Sequence, residues 1–114
     1  MLDIVDNNIF LTRGDSAIIP LTITLGDEEY DYSNDYVQFT VKRNTVTETI
    51  IIQKTINNGG FKILPSDTNE LEYQAFQYDV QLIKPNGDVF TVIPPHDFVL
   101  MPEVNFSSTI EDVL

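Results

Sequence analysis

The feature that most restricts this chain is a side-chain alternation of period two that recurs in short runs from end to end. Val37, Phe39 and Val41 fall on one side of an extended backbone, and Gln38, Thr40 and Lys42 fall on the other. Phe76, Tyr78, Val80 and Leu82 alternate in the same way with Gln77, Asp79 and Gln81. No segment carries a sustained 3.6-residue period. Strand runs separated by Gly, Pro, Asn and Asp clusters predict an all-β domain, a sandwich or barrel of seven or eight mainly antiparallel strands.

Asn8 to Thr12 reads as the first strand, closed by Arg13-Gly14-Asp15-Ser16, with residues 1–8 as an N-terminal arm. Ala17, Ile19, Leu21, Ile23 and Leu25 then form the apolar face of one half-buried strand. Pro20 within it cannot donate to a ladder and belongs on an edge or a bulge. Gly26-Asp27-Glu28-Glu29 is a polar turn. Thr49 to Ile56 is rich in β-branched residues and is expected in the middle of a sheet, covered on both faces. Asn57-Asn58-Gly59-Gly60 suits a turn with positive φ into Phe61–Leu64, and Pro65-Ser66-Asp67-Thr68 can open a single helical turn. Asn86-Gly87 between two alternating runs marks a hairpin. Val89–Ile93 is the return strand, Pro94-Pro95 breaks it, and Phe98–Met101 is the last strand. Residues 105–114 form a C-terminal tail, in which Ser108 to Glu111 has capping-box spacing.

At 114 residues the chain is expected to be one domain. It has no cysteine, which removes disulfides and thiolate metal sites. Eighteen acidic residues against six basic ones leave a net charge of −12, so phosphate backbones and anionic membrane surfaces are repelled. Met1-Leu2-Asp3-Ile4-Val5-Asp6 does not read as a signal peptide, and synthesis in the cytoplasm of the producing cell is the expectation.

The residues nominate no catalytic site. His96, the single histidine, follows two prolines in what reads as a loop, and no nucleophile accompanies it. The carboxylates gather in solvated turns, where a raised pKa for acid catalysis is not expected. Asp27, Glu28, Glu29, Asp31 and Asp35 lack the spacing of an EF-hand, so neither a metal nor any other cofactor is expected. Arg13-Gly14-Asp15 is read as a turn built on glycine and aspartate, and Asn105-Phe106-Ser107 is a glycosylation sequon of little weight without a leader. Function is therefore expected at sheet edges and at loops on the ends of the domain, with Tyr30, Tyr32, Tyr36, Pro94, Pro95 and His96 as the candidate interface.

Several segments in order resemble the small immunoglobulin-like domains of virion proteins from phages of Gram-positive bacteria. Phe10 to Ser16 is similar to their opening strand followed by x-x-G-D-T/S. Tyr30-Asp31-Tyr32-Ser33-Asn34 resembles a D-L-S/T entry, Leu64 to Thr68 a P-x-D-T element, and Tyr78 to Val89 a Y-D-V/I-Q-L-x-x-x-x-G-x-V element. Thr91-Val92-Ile93, Phe98 and Glu103-Val104 match the closing T-V/L-I … F … E-V. Tyr32 departs from the usual aliphatic, and Gln74-Ala75-Phe76 lacks a glycine common before the aromatic strand. The resemblance spans about residues 9–104. It implies an immunoglobulin-like β-sandwich in a virion, akin to the N-terminal attachment domain of upper baseplate and tail-fibre proteins. The implied partners are phage structural proteins of tail, baseplate or capsid, with a homo-oligomer in the virion also compatible. Decoration of the capsid surface is the first alternative, and a bacterial adhesion or carbohydrate-binding module is the second.

Overall fold

A computed structural model describes residues 1–102. Ten strands and one helical turn follow in order: β1 (Leu2–Val5), β2 (Asn8–Thr12), β3 (Ala17–Pro20), β4 (Thr24–Leu25), β5 (Glu28–Glu29), β6 (Tyr36–Lys42), β7 (Ile52–Thr55), β8 (Gly60–Ile63), α1 (Pro65–Thr68), β9 (Ala75–Ile83) and β10 (Val89–Met101). The largest sheet has the order β1-β2-β10-β9-β6-β7. β3 and β8 make a second, two-stranded sheet, and β4 and β5 form a separate hairpin. All pairings are antiparallel except β2 with β10. The chain is therefore all-β, as the alternation predicts. Among the described residues no helix is long and apolar enough to cross a membrane.

One face of the large sheet carries the core. Ile9, Leu11, Val37, Phe39, Val41, Ile52, Phe76, Tyr78, Val80, Leu82, Phe98 and Leu100 are all buried on it, and Ile19, Phe61 and Ile63 of β3 and β8 close over them. The Phe39 ring stacks on Phe61 at 5.3 Å between centroids and meets Tyr78 at 5.1 Å. Two apolar layers that can be satisfied only by each other thus define the body. Among the described residues, no layer lies over the opposite face of the large sheet.

The turns follow their residues. Asn58 and Gly59 take positive φ (52° and 77°), but the turn, closed by a single bridge between Asn57 and Gly60, passes the chain from one sheet to the other. The Asn86-Gly87 hairpin forms as expected, with Gly87 at φ 94°. Gly14 at φ 84° turns the chain after β2, and its N–H donates to Thr68 Oγ1 at 2.9 Å. Thr68 is fully buried in α1, the helical turn that Pro65 opens, and Asp67 there accepts the Leu64 N–H at 2.7 Å and pairs with Lys54 at 2.9 Å.

Five expectations are corrected. Residues 2–5 are not an arm: Asp6 and Asn7, at φ 50° and 66°, close a tight hairpin that pairs β1 with β2. The run from Ala17 to Leu25 is two strands, because Tyr32 Oη and the Gly59 carbonyl claim the backbone of Leu21 and interrupt it. Glu28 and Glu29 lie in β5, paired with β4 across a two-residue turn at Gly26 and Asp27. The β-branched run is not central: β7 is an edge strand, only Ile52 of its three isoleucines from Ile50 to Ile52 is buried, and Ile50 is 47% exposed. Finally, Pro94 and Pro95 do not end a strand. They sit inside the 13-residue β10, where its register against β9 shifts between Thr91 and His96. Pro20, the last residue of a strand with one neighbour, sits on an edge as expected. The tail and its sequon and capping box (residues 105–114) lie outside the described residues, as does Glu103-Val104.

Candidate protein-interaction surface

The six residues nominated from sequence do not form one surface. Tyr30 and Tyr32 are half-buried and pack against the core. Tyr30 Oη donates to Asp35 Oδ2 at 2.5 Å and accepts from Lys84 Nζ at 2.7 Å, and the ammonium lies 4.9 Å from the ring centroid. The Tyr30 hydroxyl, with nearby carboxylates, holds the Lys84 ammonium above its ordinary range. Tyr32 Oη donates to the Leu21 carbonyl at 3.0 Å. These two rings fasten the segment between Leu21 and Asp35 to the body. Only Tyr36 of the three is well exposed, at 48%.

His96 is not in a loop. It stands within β10 opposite Tyr78, on the core side of the sheet, with its ring 6.4 Å from that of Tyr78 and Nδ1 2.5 Å from the Pro94 carbonyl. Tyr36 is opposite Ile83 and points the other way, so tyrosine and histidine occupy different levels and different faces. Pro94 and Pro95 are exposed as expected of a contact surface, but they belong to a bulged strand.

The structure brings together a different set. Tyr36, Ile83 and Val89 stand in one row across β6, β9 and β10, at the end of the sheet next to the Asn86-Gly87 tip. Val89 is 53% exposed and Phe90 beside it 49%. The strand edge there is also open. β2 pairs with β10 only from Phe98 to Met101, so the stretch from Val89 to Asp97 has β9 on one side and, among the described residues, no strand on the other. A proline in such a stretch forfeits no ladder bond on its open side, which is why two are accommodated there. Sequence reading missed Val89 and Phe90 because they look like ordinary members of a return strand. The clue was Pro94-Pro95, which marks an edge without saying which.

The uncovered face of the large sheet holds a groove of ≈ 250 Å³. Gln38, Thr40, Gln53, Gln77, Asp79 and Gln81 line it, and Ile50 and Pro95 stand among its apolar lining. Thr40 Oγ1 accepts from Gln53 Nε2 at 3.2 Å. Partial burial raises the Asp79 carboxyl above its ordinary value, with Lys42 acting in the opposite sense. This lining offers amide and hydroxyl hydrogen bonds, one carboxylate and the ammonium of Lys42. His96 is on the other face of the sheet. The acidic stretch from Asp27 to Asp35 is held by its own contacts. Asp31 accepts the Ser33 N–H at 3.0 Å, which lowers its pKa, and Asp35 is bonded by Tyr30. Among the described residues no three His, Cys, Asp or Glu side chains gather in a manner that would hold a metal ion.

Arg13 of the Arg-Gly-Asp triplet donates to the Leu71 carbonyl at 3.1 Å and lies 4.3 Å from the Tyr73 ring centroid. With the Gly14–Thr68 bond, this docks the turn onto the segment after α1. No protein-family model, curated protein or solved structure matches this chain.

Proposed function

We propose that this chain is a non-enzymatic structural protein of a bacteriophage virion, an immunoglobulin-like module that attaches to other virion proteins at the tail or baseplate. The observation that carries the binding role is the edge of β10 left open among the described residues, where Val89 and Phe90 are exposed on opposite faces of the sheet. Apolar side chains next to unpaired backbone are costly to leave in water and are the ordinary material of a protein interface. The acidic surface limits partners to basic or neutral protein, and virion symmetry would add weak single contacts into firm attachment.

Two observations support the immunoglobulin-like reading. β7, β6, β9 and β10 follow one another as C′, C, F and G do in a variable-type sheet, and β3 with β8 takes the place of B and E in the other layer. The segments that carry the sequence resemblance also fall on features with structural work: the Gly14 turn, α1 and the β9–β10 hairpin. Gold-labelled antibody against the purified chain, applied to intact particles of the phage that encodes it, tests the assignment. Label at the tail or baseplate is the expected result. Label on the head would make the chain a capsid decoration protein, and unlabelled particles would end the virion reading.

One observation favours a second reading. The groove lined by Gln38, Thr40, Gln53, Gln77, Asp79 and Gln81 presents the amides and hydroxyls that sugar hydroxyl groups bond to, which suits a carbohydrate-binding or adhesion module. Specific hits on a glycan array, lost in Gln81→Ala, would establish that role; a blank array removes it.

A further inference from the structure

The pairing pattern at the β9–β10 hairpin fixes what the open edge offers. Lys84 N–H donates to the Asp88 carbonyl at 2.8 Å, so Lys84 and Asp88 form a hydrogen-bonded pair. In an antiparallel ladder such pairs alternate. Leu82 and Phe90 are therefore bonded to each other, while the N–H and C=O of Val89 and Thr91 point away from β9. No strand meets them among the described residues. The slot has two ends. Asp88 and the tip close one. At the other, the Asp6-Asn7 turn is held by the Tyr78 hydroxyl, which donates to the Asn7 carbonyl at 2.5 Å, and Asp97 N–H bonds Asn8 Oδ1 at 3.0 Å. β2 thus stops where the slot begins, and a strand laid there would continue the sheet beside β10.

We propose that this slot is a β-augmentation site for an extended segment of another protein, apolar at alternate positions and basic at the end that meets Asp6 and Asp97. The inference rests on the reading of the chain as a protein-binding module. Pairing would use the Val89 and Thr91 backbone, and alternate side chains of the guest would lie beside Phe90 and Ile93, which face the core side. Pro94 and Pro95 lack N–H groups and end the ladder, so the guest pairs over a short segment and its basic end reaches past the prolines, unpaired, to Asp6 and Asp97. Asp6 and Asp97 are exposed, and neither is in an ion pair among the described residues. A second copy of this chain is a poor occupant, because each copy brings a net charge of −12. The other open edges of the large sheet fit less well: β1 and β7 are each only four residues long.

The test uses a soluble peptide of alternating valine and threonine with lysine at one end, titrated into the purified chain to about 1 mM. Amide hydrogen exchange is followed residue by residue. The expected result is slowing of exchange at Val89 and Thr91 by fivefold or more, with Leu2 and Ile4 on the β1 edge unchanged. Replacing the peptide lysine by glutamate, or making Asp6→Lys with Asp97→Lys in the protein, weakens binding at least tenfold. Thr91→Pro removes an outward N–H without taking a bond from β9, and abolishes the effect while the melting curve stays cooperative. Protection confined to Leu2 and Ile4, no protection at 1 mM, or equal binding of the glutamate peptide would each overturn the proposal. None of these outcomes depends on where antibody labels a particle, so failure here leaves the virion assignment standing, and the reverse holds.

Discussion

Tyr78 gives the fold an alkaline limit that can be worked out before it is measured. Its side chain lies under the large sheet at 3% exposure, between Phe39 and His96. Burial pushes the phenol up from its ordinary value of 10.0 to about 12. The protonated form is favoured in the folded state, so the stabilisation is complete below pH 10 and is lost as pH rises towards 12. In that window the unfolded chain gives up a proton that the folded chain keeps. Two pKa units at 1.36 kcal/mol each amount to about 2.7 kcal/mol lost across the window. With a urea m-value of about 1–3 kcal/mol/M, the midpoint should fall by about 1–2.5 M between pH 9 and pH 12 from this group alone. Lys84 also has a raised pKa and contributes a slope of the same sign. The assay is therefore a difference: urea unfolding of wild type and Tyr78→Phe, followed by circular dichroism at half-unit steps of pH. The variant loses the bond to the Asn7 carbonyl and starts lower by about 1 kcal/mol. The gap should close and then reverse as pH rises, because phenylalanine has no proton to lose. Parallel curves from pH 9 to pH 12 would refute the reasoning.

Two glycines separate steric demand from backbone demand. At Gly60 a Cβ would lie 2.7 Å from Ile18 Cγ2 and 3.1 Å from the Ile19 carbonyl, so Gly60→Ala should cost about 1–3 kcal/mol by forcing β3 and β8 apart. At Gly26 a Cβ meets nothing within 4 Å but φ is +63°, so Gly26→Ala should cost only the left-handed penalty of about 1 kcal/mol; thermal melts of both variants decide the order. Asp79→Asn should raise the melting temperature at pH 7, since burial disfavours the ionised carboxylate there. Because the folded pKa is raised, the gain should fade as pH falls towards about 4 and be gone below it, where folded and unfolded chains both hold the proton.

What could be read from the sequence was whatever local chemistry decides alone. Phe76, Tyr78, Val80 and Leu82 had to share a face because a strand repeats every two residues, and all four are buried. Asn86-Gly87 had to turn because few other residues take those angles. Two of the misreadings share one physical cause: none of these local rules says whether a strand has one neighbour or two. Ile50, Ile51 and Ile52 look like the centre of a sheet, yet an edge strand with one covered face can carry the same residues, and there only Ile52 is buried. Pro94-Pro95 looks like a stop, yet a strand needs an N–H only where a partner would accept it, and β10 has no partner on that side among the described residues. Leu2 to Val5 looked like a free arm because the Asp6-Asn7 signal for its hairpin lacks a glycine. The same blindness scattered the nominated interface. Tyr30 and Tyr32 are polar-tipped aromatics of the kind that face partners, but here their hydroxyls are already bonded to Asp35, Lys84 and Leu21. Val89, Phe90 and Thr91 carry no such signal, and what distinguishes them is only the shortness of β2. A binding edge of this kind is defined by a strand that ends early on a different part of the chain, so it becomes visible when the pairing of the whole sheet is known.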